Sequence, residues 1–150
     1  VRRDFLRQAF TTTVSIAALT ALGPARAIAA TPSRRSGAPI RYPIPTEDSV
    51  SIDSANEVIL CRSNGELYAF ALSCPHQSTA LKALAKNGGF QCSRHKSKYK
   101  PDGTFISGRA TRNMDRMQIS RDGAQIVVEP DTIFESDAEP AKWAAALVKL

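Results

Sequence analysis

Downstream of Ser49 the chain alternates short apolar runs with turn residues. The runs 57–61 and 66–72 flank Ser63-Asn64-Gly65, and an Asn-Gly pair between such runs predicts a tight β-hairpin. Segments 89–92 and 104–107 read as short strands with Pro101-Asp102-Gly103 as a turn between them. A second hairpin is predicted from 117–120 and 125–129 across Arg121-Asp122-Gly123. Between the hairpins, Leu81, Leu84 and Ala85 in 79–86 have helix-like spacing, over only about two turns. The tail predicts a short C-terminal helix from about Pro140, with Trp143, Leu147 and Leu150 on one face. Many short strands and few helical stretches predict an all-β domain, a sandwich or barrel.

The N-terminal part follows another pattern. Val1-Arg2-Arg3-Asp4-Phe5-Leu6-Arg7 is basic, 9–22 is apolar and small, and Ala25-Arg26-Ala27 or Ala27-Ile28-Ala29 offers a small-residue cleavage pattern. This is the layout of an export signal, and its paired arginines resemble the twin-arginine signal, whose route carries folded cargo. The apolar run falls short of the roughly 20 residues of a full span, so cleavage is favoured, with 9–22 kept as a membrane anchor the other possibility. The expected organisation is a signal or anchor over 1–30, a Pro-rich linker over 31–46, the main domain over 47–130 and a C-terminal extension over 131–150. The expected location is the periplasm or the outer face of the cytoplasmic membrane.

Composition is that of a globular chain: 43% hydrophobic, 23% charged and 7% aromatic, with a net charge of +6. Three cysteines cannot make a disulfide framework. They can bind metal beside the only two histidines. Cys74-Pro75-His76 and Cys92-Ser93-Arg94-His95 place both histidines in two matched brackets. One tetrahedral zinc would accept two thiolates and two imidazoles, but zinc fingers pair Cys with Cys and His with His at wider spacing. A bracket with one intervening residue suits two irons sharing sulfides, one taking both thiolates and the other both imidazoles. The spacing favours the cluster over zinc.

These boxes resemble the C-x-H and C-x-x-H boxes of Rieske [2Fe–2S] proteins. The flanking Gly65-Glu66-Leu67-Tyr68-Ala69-Phe70, Asp102-Gly103 and Gly108-Arg109-Ala110 extend the similarity over roughly 48–129. The resemblance implies three stacked antiparallel sheets with one [2Fe–2S] cluster between two loops at the tip. It also implies that Cys74 and Cys92 hold the inner iron and His76 and His95 the outer one. Ser97 and Tyr99 match the hydroxyls that bond a bridging sulfide and a cysteine sulfur in high-potential members. Such bonds raise the potential, which is expected in the upper half of about −150 to +300 mV.

Some positions depart from the high-potential pattern. The cysteines that tie the two loops by a disulfide in that subfamily are replaced by Thr79 and Arg94. Lys96 stands where glycine usually follows the second histidine, and Arg109 where a shielding loop often has proline. Cys61, the third cysteine, is expected to be a small buried hydrophobe.

The expected function is electron transfer in an exported, respiratory-type oxidoreductase assembly, by a subunit with no catalytic residues of its own. The alternatives are the Rieske subunit of a quinol–cytochrome c oxidoreductase, meeting quinol directly, and a small subunit of an exported molybdenum enzyme. Arg94, Lys96, Lys98, Lys100, Arg109, Arg112 and Arg116 face only Asp102 and Asp115 in this stretch. That excess predicts an acidic-faced partner, such as a c-type cytochrome or an oxidoreductase subunit. The stretch has no aromatic interleaving, which argues against nucleic acid.

Overall fold

The computed structural model describes residues 37–85 and 88–150. The expected export signal and the first part of the linker lie outside the described residues. Among the described residues there are eleven strands, which form two antiparallel sheets, and one short helix. The larger one contains β1 (Ile40–Pro43), β2 (Ser49–Asp53), β3 (Val58–Ser63), β4 (Glu66–Ala71), β9 (Arg116–Asp122) and β10 (Gln125–Phe134), in the order β1-β10-β9-β4-β3-β2. β11 (Val148–Lys149) pairs with β4. The smaller sheet is β5 (Leu81–Ala83), β6 (Phe90–Cys92), β7 (Lys98–Tyr99) and β8 (Phe105–Ser107), in chain order.

The central hairpin explains the layering. Asn64 and Gly65 both have positive φ, 53° and 76°, as a two-residue turn matched to strand twist requires. The turn sets Arg62 opposite Leu67 and Ser63 opposite Glu66. Successive side chains then point to opposite faces. Val58, Leu60, Leu67, Ala69 and Ala71 join Met117, Ile119, Ile126 and Val128 in one core. Ile59, Cys61, Tyr68 and Phe70 join a second core with Phe90, Tyr99, Met114, Cys74 and Cys92. The hairpin is therefore buried on both faces, and its second face supports the small sheet.

The first core fills the larger sheet, which folds over on itself. β4 and β9 meet through the register pair Phe70–Arg116. The outermost strands, β1 and β2, are joined by the Tyr42 hydroxyl, which donates to Asp53 Oδ2 at 2.9 Å. The family resemblance implied three separate sheets; here the two larger ones are continuous.

Three local expectations need correction. The linker reading of 31–46 fails at Ile40–Pro43, a strand paired with β10; Pro43 is tolerated because the strand is an edge. Leu81 in 79–86 belongs to β5, where its pairing with Cys92 overrides the helix-like spacing. The C-terminal helix α1 covers only Pro140–Ala145, and the chain then leaves it to form β11, so Trp143 and Leu150 do not share a helix face.

The tail packs on its own domain. The buried Arg116 guanidinium lies between the rings of Tyr68 and Trp143, 4.7 and 3.8 Å from their centroids. It donates to the carbonyls of Trp143 and Asp102, and Trp143 Nε1 donates to the Met114 carbonyl at 2.7 Å. Cys61 is buried in β3, and burial pushes its thiol up to about 12, as expected of an inert core cysteine.

Candidate metal centre

Two loops at one end of the small sheet present the cysteine–histidine brackets, and their backbones are closed in the same way. In the first, the Cys74 N–H donates to the Thr79 carbonyl and the Ser78 N–H to the Cys74 carbonyl, both at 2.9 Å. In the second, the Cys92 N–H donates to the Ser97 carbonyl at 2.8 Å and the Lys96 N–H to the Cys92 carbonyl at 3.2 Å. The fifth residue of each loop is left-handed, with φ of 46° at Ser78 and 59° at Lys96. This turn gives a reason for glycine at the Lys96 position in the family, since an L side chain is strained there.

The loops are tied to each other without a disulfide. The three cysteines are free. The Ser93 N–H and hydroxyl both donate to the Ala80 carbonyl, at 3.3 and 2.9 Å. Leu81 stands opposite Cys92 in the β5–β6 register, so the first loop runs directly into a strand beside the second.

The donors fall into pairs, sulfur with sulfur and nitrogen with nitrogen. Cys74 and Cys92 are buried, and a contact with Cys74 helps stabilise the Cys92 thiolate. Burial alone would raise the Cys92 thiol. The amides of His95 and Arg94, the Cys74 thiol and the Lys96 charge outweigh it and hold the thiol below its usual range. His76 and His95 are half-buried, with their Nδ1 atoms 3.1 Å apart. Their rings meet edge to face at 4.8 Å between centroids. Burial, His76, Arg109 and Arg94, in that order, lower the proton affinity of His95, favouring the neutral ring a metal needs. Among the described residues no three His, Cys, Asp or Glu side chains gather as for one ion.

Two hydroxyls border the sulfur pair. Tyr99 Oη lies 3.3 Å from Cys74 Sγ, and burial followed by that contact raises the phenol above its usual range. Ser97 is fully buried, and its Oγ accepts the N–H groups of Arg109 and Ala110, each at 3.1 Å. Gly108 makes this approach possible: a Cβ there would lie 2.4 Å from Ser97 Cα, and its φ is +118°. Gly103, with φ +83°, similarly lies against Phe70, where a Cβ would come within 2.5 Å of the ring.

All six residues singled out from the sequence, Cys74, His76, Cys92, His95, Ser97 and Tyr99, thus sit in these two loops or on the adjoining β7. The sequence marks Gly108-Arg109-Ala110 as part of the similarity, with Arg109 a departure, but the amides on Ser97 carry no sequence signal. Of the seven basic residues of the stretch around the second loop, two are engaged elsewhere. Arg112 is paired with Asp115 and Glu135, and Arg116 is buried against the tail. Arg94, Lys96, Lys98, Lys100 and Arg109 are exposed.

A family model described as the Rieske [2Fe-2S] domain matches residues 43–128, more than half of the chain. The chain belongs to the Rieske [2Fe-2S] domain family, and the domain implies one Rieske-type [2Fe–2S] cluster. Among solved structures, the chain is similar to the cyanobacterial plasma membrane Rieske protein PetC3 from Synechocystis PCC 6803. The two are 21% identical, with a TM-score of 0.45 over 53% of this chain and 83% of that one. No curated protein matches. The donor set suits the cluster: two soft sulfur ligands lie in a dry core, and two imidazoles lie nearer water.

Proposed function

We propose that the chain is a one-electron carrier whose cluster is held by Cys74 and Cys92 at the inner iron and by His76 and His95 at the outer one. The carrying observation is the pairing itself, with buried sulfur on one side and half-buried Nδ1 atoms 3.1 Å apart on the other. When bound, the cluster supplies reversible one-electron redox chemistry. The protein keeps water from the sulfurs, fixes the imidazole orientation through the two closed loops, and places Ser97 and Tyr99 where hydroxyl hydrogens favour the reduced state. His76 and His95 provide the exit toward a partner, because their side is the one not sealed by the core.

The chain serves an exported oxidoreductase assembly, at the periplasmic side of the cytoplasmic membrane, after passage by the twin-arginine route. Arg2-Arg3 and the apolar run 9–22 in the sequence support this reading. Among the described residues no helix is long and apolar enough to cross a membrane. Its partner is an acidic-faced c-type cytochrome or enzyme subunit.

The test is an EPR-monitored redox titration of the full chain, with iron and acid-labile sulfide counted. A Rieske-type signal that disappears in His95→Ala and Cys92→Ala supports the assignment. Stoichiometric zinc, or an unchanged signal in both variants, overturns it.

A further inference from the structure

Charge is sorted along the molecule. Over the described part of 81–110 there are six basic residues, Lys82, Arg94, Lys96, Lys98, Lys100 and Arg109, against one acid, Asp102. The other described residues carry seven basic groups against twelve acidic ones. Five of those seven, Arg41, Arg62, Arg112, Arg116 and Lys142, are ion-paired or buried. The small sheet with its loops is therefore a positive pole, and the larger sheet with the tail is a negative one.

The register shows how the positive pole is built. Lys82 pairs with Gln91, Gln91 with Lys98, and Lys98 with Ser107, in one row across all four strands. The adjacent row, Ala83, Phe90, Tyr99 and Phe105, includes the side chains packed in the core. By alternation the lysine row faces water. Lys96 and Lys100 are exposed on either side of Lys98, exposed Arg94 directly precedes His95, and exposed Arg109 is held to the second loop by its N–H on Ser97 Oγ. The β7–β8 register slips between Lys98 and Tyr99, and within this irregularity Ile106 is 54% exposed. It is the most exposed of the large hydrophobic side chains among the described residues.

From this arrangement we propose that the outer face of the small sheet, from Lys82 across Lys98 to Ile106 and Arg109, is a docking surface for an acidic-faced redox protein. Ile106 is its apolar anchor, and the acidic large sheet repels the same partner elsewhere. The inference rests on the electron-transfer reading and adds where the partner sits and how it is oriented. An apolar contact ringed by charge is the usual anatomy of such an interface. Opposed poles select orientation as well as speed, since a partner arriving at the wrong end is turned away. In the step itself one electron leaves the reduced chain and converts ferric haem to ferrous haem, with no other co-reactant.

The test uses the full cluster-loaded chain and two soluble c-type cytochromes, one acidic and one basic. Electron transfer is followed by stopped flow at about 0.01 M and about 0.1 M salt, where the screening length falls from about 30 to about 10 Å. The wild type should reduce the acidic cytochrome faster at low salt and the basic one more slowly. In Lys96→Glu with Lys98→Glu the acidic-to-basic rate ratio at low salt should fall by about tenfold or more. Any change in potential affects both rates alike and cancels in the ratio. Arg121→Glu with Lys142→Glu makes the same change in net charge at the other pole and should move the ratio by less than about twofold. Ile106→Ser should slow the acidic cytochrome several-fold at both salts with an unchanged salt slope.

Equal ratio changes in the two charge variants would mean that net charge alone acts, and would overturn the proposal. So would a wild-type ratio insensitive to salt, or an Ile106→Ser variant indistinguishable from wild type. An intact EPR signal in every variant separates these failures from failure of the electron-transfer reading.

Discussion

The Arg109 amide donates to Ser97 Oγ at 3.1 Å, joined by the Ala110 amide at the same distance. Both acceptor positions of the hydroxyl are thereby filled, and its hydrogen is left to donate. Ser97 is the residue proposed to bond the cluster, so the 108–110 turn orients a tuning group without touching iron. Arg109→Pro removes one amide donor, and the potential should fall by tens of millivolts. A donor difference of 1.4 kcal/mol corresponds to about 60 mV for one electron. Arg109→Ala keeps the amide and serves as the control. Equal potentials in the two variants, measured by EPR titration, would sink the idea.

Tyr99 acts from the other side, 3.3 Å from Cys74 Sγ. Tyr99→Phe keeps the ring against Phe105 and removes only the hydroxyl. Its potential should drop below wild type by an amount similar to that of Ser97→Ala, with the signal shape retained. A rise in potential, or no change, contradicts the tuning role.

Lys96 holds a left-handed conformation at φ 59°. Removing its Cβ relieves roughly 1 kcal/mol of strain, while losing the bond from Nζ to the Ser93 carbonyl, which is exposed and weak. Lys96→Gly should therefore melt higher than wild type by a few degrees. Calorimetry showing a lower Tm would indicate that the lysine is held by more than its turn.

Trp143 is the chain's single tryptophan and rests 3.8 Å from the Arg116 guanidinium. Arg116→Met removes two ring contacts and the carbonyl bonds that join the tail to the Asp102 turn. The expected loss is about 2–4 kcal/mol, within the range for breaking a buried polar network. Trp143 emission should shift red in the folded variant. Unchanged emission and stability would show that the tail is held by β11 alone.

Asp53 responds to pH in a definite direction. Burial opposes its charge, but the Asn56 side chain, the Tyr42 hydroxyl and the Asn56 and Ala55 amides outweigh it and lower its proton affinity in the folded state. A depressed carboxyl contributes stability above its unfolded value of about 3.9. That contribution disappears as pH falls through the folded value. Asp53→Asn should flatten the acid side of a stability–pH curve while leaving the cluster signal intact at neutral pH.

Much of this was legible in the sequence because the relevant signals are local. Asn64-Gly65 specifies its hairpin through dihedral angles alone, and two Cys–His brackets announce a metal through ligand chemistry. The failures were non-local. Nothing in Ile40-Arg41-Tyr42-Pro43 reveals a partner strand more than eighty residues away. Leu81 carries a helical spacing that its pairing with Cys92 overrides. Arg112 and Arg116 look like their basic neighbours until the fold places acids and aromatic rings around them. The amides of Arg109 and Ala110 left no signal at all, because every residue except proline has one.

The bond from Tyr42 to Asp53 has a consequence for behaviour in concentrated solution. A sheet with two bare margins invites a second chain to add strands, the first step of fibre growth. Here the margins β1 and β2 are drawn together by a side-chain bridge, so the larger sheet offers a poor template for self-association. Among the described residues the small sheet ends in β5, whose Leu81 N–H is taken up by the Leu72 carbonyl, and in β8; lysines stand on its outer face and copies of the chain repel one another there. The same charge that steers a partner also keeps identical molecules apart.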